Sequence, residues 1–185
     1  MRFGAIDIGT NAARLLIGEV EEEGKKHFVK KISYTRIPLR LGLEVFENGE
    51  ISKTKEIEFS KSIHAFRLIS EVFEVKELRA CATSAMREAA NGKEIQKKIK
   101  KETGVDIEII EGSEEAQLIL STFFLINEDS KHPFVVIDVG GGSTEISLFK
   151  KGEKVAARSF KVGTIRMLKK KVKDSLWDDM DEWIK

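Results

Sequence analysis

The sequence predicts a mixed α/β fold built from two related halves. Two observations carry that expectation. An apolar, β-branched run ending in Asp and a Gly-led turn occurs twice, as Ala5-Ile6-Asp7-Ile8-Gly9-Thr10-Asn11 and as Val136-Ile137-Asp138-Val139-Gly140-Gly141-Gly142-Ser143-Thr144. Each copy re-enters a strand pattern, through Leu15-Leu16-Ile17 in the first and Ile146, Leu148 and Phe149 in the second, and helical periodicity follows later in each half.

In the first half, period-two and β-branched runs predict strands near 2–8, 13–20, 27–35, 77–82 and 105–110. Glu21-Glu22-Glu23-Gly24-Lys25 is the polar hairpin turn between the second and third. Phe59, Ile63, Phe66, Ile69 and Phe73 form one apolar stripe, and His64 falls beside it as a boundary residue. A second helix is expected over 85–101, interrupted near Asn91-Gly92, with Ile95 and Ile99 on its buried face. A third is expected from Ser113 to about Ile126. Ser113 has the side chain of a cap, Glu114 and Glu115 complement the dipole of the first turn, and Ile119, Leu120, Phe123 and Phe124 read as buried.

The polar stretch Asn127-Glu128-Asp129-Ser130-Lys131-His132-Pro133 reads as a linker, giving domains 1–128 and 129–185. Strands near 134–139, 144–150 and 154–162 follow, with Lys151-Gly152-Glu153 matching the earlier hairpin turn. Leu168, Val172, Leu176, Met180 and Ile184 then recur every fourth residue and predict one amphipathic helix to the last residue. Superposing Asp7 on Asp138 aligns Gly9 with Gly140 and the strands beyond, a low-identity duplication in which the second copy reads as incomplete.

Composition narrows the function. With 41% hydrophobic and 34% charged residues the chain has material for a core, and its net charge of +1 gives no global field for nucleic acid or an anionic membrane. The basic runs at Lys97-Lys98, Lys100-Lys101 and Lys169-Lys170-Lys171 read as solvated helix faces. Cys81 is the only cysteine, so no internal disulfide can form; it reads as a small buried hydrophobe in a reducing compartment. No signal peptide or run of membrane-spanning length stands out, and the expected location is cytoplasmic.

The turns carry the chemistry. Glycines let backbone approach a phosphate and permit the angles of an anion nest, while Thr10, Asn11, Ser143 and Thr144 add donors. Asp7 and Asp138 repel phosphate themselves, so their sensible work is to hold a divalent cation or its waters. Two such turns suggest a phosphate chain clamped between them.

With Ala82-Thr83-Ser84-Ala85-Met86-Arg87 and Gly112-Ser113-Glu114-Glu115-Ala116 added in order, and Glu145 after the second turn, the chain resembles the exopolyphosphatase and guanosine pentaphosphate phosphohydrolase family. The resemblance spans nearly the whole chain. It implies an actin-like ATPase (ribonuclease H-like) domain duplication, of the superfamily shared with sugar kinases and heat-shock chaperones. It makes Glu115 the catalytic base, Glu114 a helix-dipole acid and Arg87 a grip on a terminal phosphate. Gly9, Thr10, Asn11, Gly140, Gly141, Gly142, Ser143 and Thr144 become phosphate ligands. Asp7, Asp138 and Glu145 become ligands of Mg²⁺ or another divalent cation. Arg40 and Arg166 are weaker candidates for phosphate contacts.

The implied reaction is in-line attack of water on the terminal phosphorus of inorganic polyphosphate or a guanosine alarmone. A phosphate- or nucleotide-holding sensor or ATPase module of the same superfamily stays open as the alternative. By the resemblance the second domain continues beyond residue 185, so the chain reads as a fragment with weak phosphate binding and poor turnover. The stripe from Leu168 to Ile184 then lacks a partner, which makes homodimerisation an expectation.

Overall fold

The computed structural model describes all residues except 24–25, 119–131 and 152. The chain forms two compact units, Met1–Ile109 and Ile110–Lys185. The division lies ahead of the expected boundary at 128/129, so the helix bearing Glu115 belongs with the second unit. Residues 127–131 of the expected linker and the apolar positions 119–126 lie outside the described residues.

The first unit is built on a five-stranded sheet in the order β3-β2-β1-β4-β5. Its strands are β1 (Arg2–Ile8), β2 (Ala13–Glu23), β3 (Lys26–Ile37), β4 (Glu77–Ala82) and β5 (Ile107–Ile109). β1, β2 and β3 make an antiparallel meander, while β4 and β5 add in parallel beside β1. This mixed sheet is what the resemblance implied. Alternation along β1 buries Ile6 and Ile8 and exposes Asp7, so the period-two pattern fixes which face meets the helices.

Helix α1 (Leu41–Asn48) was not legible in the sequence. It starts without a side-chain cap from Arg40, whose backbone is left-handed at φ 57, and ends at Gly49 with φ 82. The stripe at 59–73 belongs to the longer α2 (Lys53–Val72), capped by Ser52, whose side chain accepts the Lys55 N–H. Phe59, Ile63 and Phe66 are fully buried, as are Ile95 and Ile99 farther along the chain. The break expected near Asn91-Gly92 separates α3 (Ser84–Glu88) from α4 (Gly92–Thr103). Asn91 explains the break's fixed geometry: its amide donates to Ile51 O at 2.8 Å and accepts from Ile51 N at 3.1 Å. Cys81 is half-buried rather than in the core.

Glu56, on α2, ties that helix to α4. Lys98 and Lys53 both donate to its carboxylate, Lys53 at 2.9 Å, and hold its pKa below the ordinary 4.5 in that order of importance. A depressed carboxylate stabilises the fold above its unfolded pKa and loses that contribution as pH falls through the folded value. Glu56→Gln is therefore expected to lower stability by on the order of 1 kcal/mol at pH 7. Urea unfolding across pH should show the gap from wild type closing below about pH 4.5; a gap that stays constant into acid would contradict the assignment.

The second unit carries a meander, β6 (Phe134–Val139), β7 (Thr144–Lys150) and β8 (Glu153–Phe160), all antiparallel. A helix, α5, is described over 112–118. It begins before Ser113, with the Glu114 and Glu115 N–H groups both donating to Glu111 O at 3.0 Å, so the expected Ser113 cap is not the one used. The single helix expected to the last residue is two: α6 (Thr164–Leu168) and α7 (Asp174–Ile184). The chain turns between them at Lys170, φ 51. The break takes Leu168 and Ile184 out of the buried face, leaving them 80% and 60% exposed. Val172, Leu176, Met180 and Trp183 pack instead on Ile146, Phe160 and Val162, and Arg158 pairs with Asp179 at 2.7 Å.

Candidate functional site

Each unit holds one of the two turns at the end of its first strand. In the first, Gly9 N donates to Ala12 O at 3.0 Å; in the second, Gly140 N donates to Ser143 O at 2.9 Å. Ile8 opposite Ala13 and Val139 opposite Thr144 close the strands in the same register. The duplication read from sequence is thus repeated in the hydrogen bond that closes each turn and in the register of the strands on either side.

It extends further than the sequence suggested. Three residues after the third strand of each meander a helix begins: Pro38-Leu39-Arg40 leads to α1, and Lys161-Val162-Gly163 leads to α6. Leu39 and Val162 are the buried anchors of these connectors. In the first unit Gly42 N donates to Thr10 O at 2.9 Å and Arg40 N to Asn11 O at 2.8 Å. In the second, Thr164 N donates to Gly140 O at 3.0 Å and Ile165 N to Gly141 O at 2.9 Å. Arg166 Nε donates to Gly142 O at 2.6 Å.

A trans peptide unit points its N–H opposite its C=O. With the carbonyls of Gly140, Gly141 and Gly142 aimed at α6, the amides of Gly141, Gly142 and Ser143 aim away from it. Asn11 and Ala12 do the same in the first unit. Consecutive amides pointing one way are the donor array of an anion nest. Glycine is needed around it for space: a Cβ on Gly163 would stand 2.5 Å from the Gly141 and Gly142 backbone.

Side chains in the turns are largely committed elsewhere. Thr10 Oγ1 shares a 2.8 Å hydrogen bond with Ser84 Oγ, both buried, and Thr144 Oγ1 donates to Val162 O at 2.6 Å. Both threonines therefore act as struts, and their backbone remains the part suited to a ligand. Ser143 is buried and Asn11 exposed. The Thr10–Ser84 bond, with Thr83 N donating to Ile8 O at 3.1 Å, fastens the first turn to α3, on which Arg87 is half-buried.

The acidic residues divide between the units. Asp7 lies opposite Arg14 and pairs with it at 2.6 Å. Asp138 lies opposite Glu145 at the same register, so the second copy carries two carboxylates where the first carries an ion pair. Glu145 is 4% exposed and accepts from Ser159 Oγ at 2.6 Å. Gly112, at the start of α5, sits on this pair: its added Cβ would lie 3.1 Å from Ser159 Oγ and 3.7 Å from Glu145 Oε1. Glu115 follows one turn along the same helix, and its Oε2 is buried.

Two carboxylates on neighbouring strands suit a hard divalent cation that completes its shell with water and phosphate oxygens. No group of three or more His, Cys, Asp or Glu positioned to hold a metal occurs among the described residues. Asp7, engaged by Arg14, is not brought into such a group. Sequence reasoning missed Arg14 and Ser159. Arg14 was findable, since it stands as far beyond Asp7 as Glu145 does beyond Asp138; Ser159 is set by strand pairing alone.

No described helix is long and apolar enough to cross a membrane. The family model of the Ppx/GppA phosphatases matches residues 20–180. Exopolyphosphatase 1 of Mycobacterium tuberculosis is 30% identical over 177 residues, covering 94% of this chain and 50% of that protein. The crystal structure of an exopolyphosphatase from Cytophaga hutchinsonii superposes with a TM-score of 0.83 at 29% identity, over 92% of this chain and 53% of that one. The Aquifex aeolicus member of the Ppx/GppA family gives 0.78 at 27% identity, over 91% and 54%. The chain spans about half the length of the curated relatives it matches. With its mixed α/β fold, its duplicated turn and a family match across most of its length, the chain belongs to the Ppx/GppA phosphatase family.

Proposed function

We propose that the chain carries the phosphoanhydride-hydrolysing machinery of an exopolyphosphatase, releasing terminal phosphate from inorganic polyphosphate. The observation that carries this reading is the pair of turns whose carbonyls are held down, so that consecutive amides point one way in each unit. Such donors recognise phosphate without reading any attached base. Polyphosphate, which offers phosphates alone, is therefore preferred here over a guanosine alarmone.

Glu115 is the base that takes a proton from the attacking water, from the first turn of a helix whose dipole favours a carboxylate. Arg87 and the turn amides take the charge of the phosphoryl oxygens, the kind of preorganised stabilisation that dominates phosphoryl transfer. Asp138 and Glu145 would hold Mg²⁺ or another divalent cation. When bound, it supplies positive charge against the phosphate oxygens. Asp7, neutralised by Arg14, shapes the mouth of the first turn and is left out of that ligand set. The reaction class matches the names of the exopolyphosphatase relatives.

The test is phosphate release by the purified chain with Mg²⁺, side by side on long-chain polyphosphate and guanosine pentaphosphate. Faster release from polyphosphate supports the reading. Release from the pentaphosphate alone would overturn the substrate choice, and binding of either without release would favour a phosphate-holding module.

A further inference from the structure

Among the residues around the second turn, Arg166 stands out. It is 8% exposed, an unusual degree of burial for an arginine. Its main chain and side chain both serve the turn: N–H donates to Gly141 O at 3.3 Å, and Nε to Gly142 O at 2.6 Å. The family resemblance makes it a weaker candidate for a direct phosphate contact. We propose instead that Arg166 is a positioning residue, which orients the donor amides of the triglycine turn by pinning the carbonyls behind them. The inference rests on the reading of the turn as a phosphate cradle.

The internal comparison shows why a side chain is needed. In the first unit, the carbonyls of Thr10 and Asn11 are held by backbone N–H groups of Gly42 and Arg40. The backbone at Arg40 is left-handed, φ 57, whereas its counterpart Gly163 is extended at φ −143. In the second unit the Asn11 counterpart, Gly142, takes its bond from the Arg166 guanidinium. Gly142 O belongs to the same peptide unit as Ser143 N–H, so this bond sets the last amide of the array. Three adjacent glycines have the widest backbone freedom of any sequence. Without the pin, the Gly142–Ser143 peptide can rotate and turn its carbonyl, which repels phosphate, towards the ligand.

A direct contact and a positioning role differ in what they neutralise. A guanidinium on phosphate adds to the salt dependence of binding; one bonded to a carbonyl does not. The experiment is calorimetric binding of inorganic tripolyphosphate with Mg²⁺ to the chain, over a range of salt, for wild type, Arg166→Met and Arg166→Lys. The expected result is roughly tenfold weaker binding in both variants with the wild-type salt slope, because lysine keeps the charge but lacks the planar Nε donor. Nitrogen-15 NMR of the wild type gives a check that survives a variant's failure to fold. On adding tripolyphosphate the Gly142 and Ser143 amides should shift, while the Arg166 Nε–H stays slowly exchanging. Wild-type affinity in either variant, a flatter salt slope, or an Arg166 Nε–H that loses its protection on binding would overturn the positioning role. Failure of the wild type to bind tripolyphosphate at all would instead sink the reading of the turn itself, and the inference with it.

Discussion

Glu115→Gln is expected to slow phosphate release by about 10²–10⁴-fold while leaving tripolyphosphate binding intact. Glutamine keeps the shape and the start of α5, where Gly112 seats the helix against Ser159 and Glu145. It removes only the capacity to accept a proton from water. A coupled phosphate assay and calorimetry on the same preparations separate the two quantities. If binding fell as steeply as release, Glu115 would be a ligand or a structural group, and the base would have to be sought elsewhere.

The largest stability effect is expected at Phe66. It is fully buried on α2, as are Phe59 and Ile63 of the same helix, and α2 packs on α4, whose Ile95 and Ile99 are buried too. Truncation to alanine removes the ring and leaves a cavity whose walls, held by a sheet and two helices, can close only in part. The cost should be about 3–5 kcal/mol, comparable to the whole stability of a marginal domain. Urea unfolding would register it as a lower midpoint with little change in slope. A loss under about 1 kcal/mol would mean that the core repacks freely, contrary to the close packing of interiors.

What the sequence made legible follows from which signals are local. Strands such as Arg2–Ile8 and Glu77–Ala82 were read because β-branched alternation is written residue by residue. The stripe of α2 was read because it persists over many turns. Short α1 and α6 offered too few periods, and neither starts with a side-chain cap. The run Leu168 to Ile184 misled because spacing by fours drifts around a helix and carries no mark of the turn at Lys170.

At the site, the two Asp-Gly turns were visible as composition. Which way their peptides face was not, because that depends on bonds reaching from Gly140 to Thr164 and from Asn11 to Arg40. The commitment of Thr10 to Ser84 was hidden for the same reason, since a hydroxyl in a turn looks like a donor until its partner is known. The opposition of Arg14 and Glu145 sits between these cases. It needed only the register of a hairpin, which the shared spacing from Asp7 and Asp138 encodes.

Arg40 has a consequence for anyone who would redesign this chain. A side chain in left-handed backbone costs roughly 1–2 kcal/mol relative to the ordinary helical basin, and glycine occupies such angles freely, as Gly49 and Gly104 do here. Optimising for heat resistance alone would favour glycine at position 40. The exchange would leave the hydrogen bond from the residue-40 backbone N–H to Asn11 O in place and delete an exposed guanidinium beside the first turn. Thermal robustness and charge at the mouth of that turn therefore pull on one codon in opposite directions.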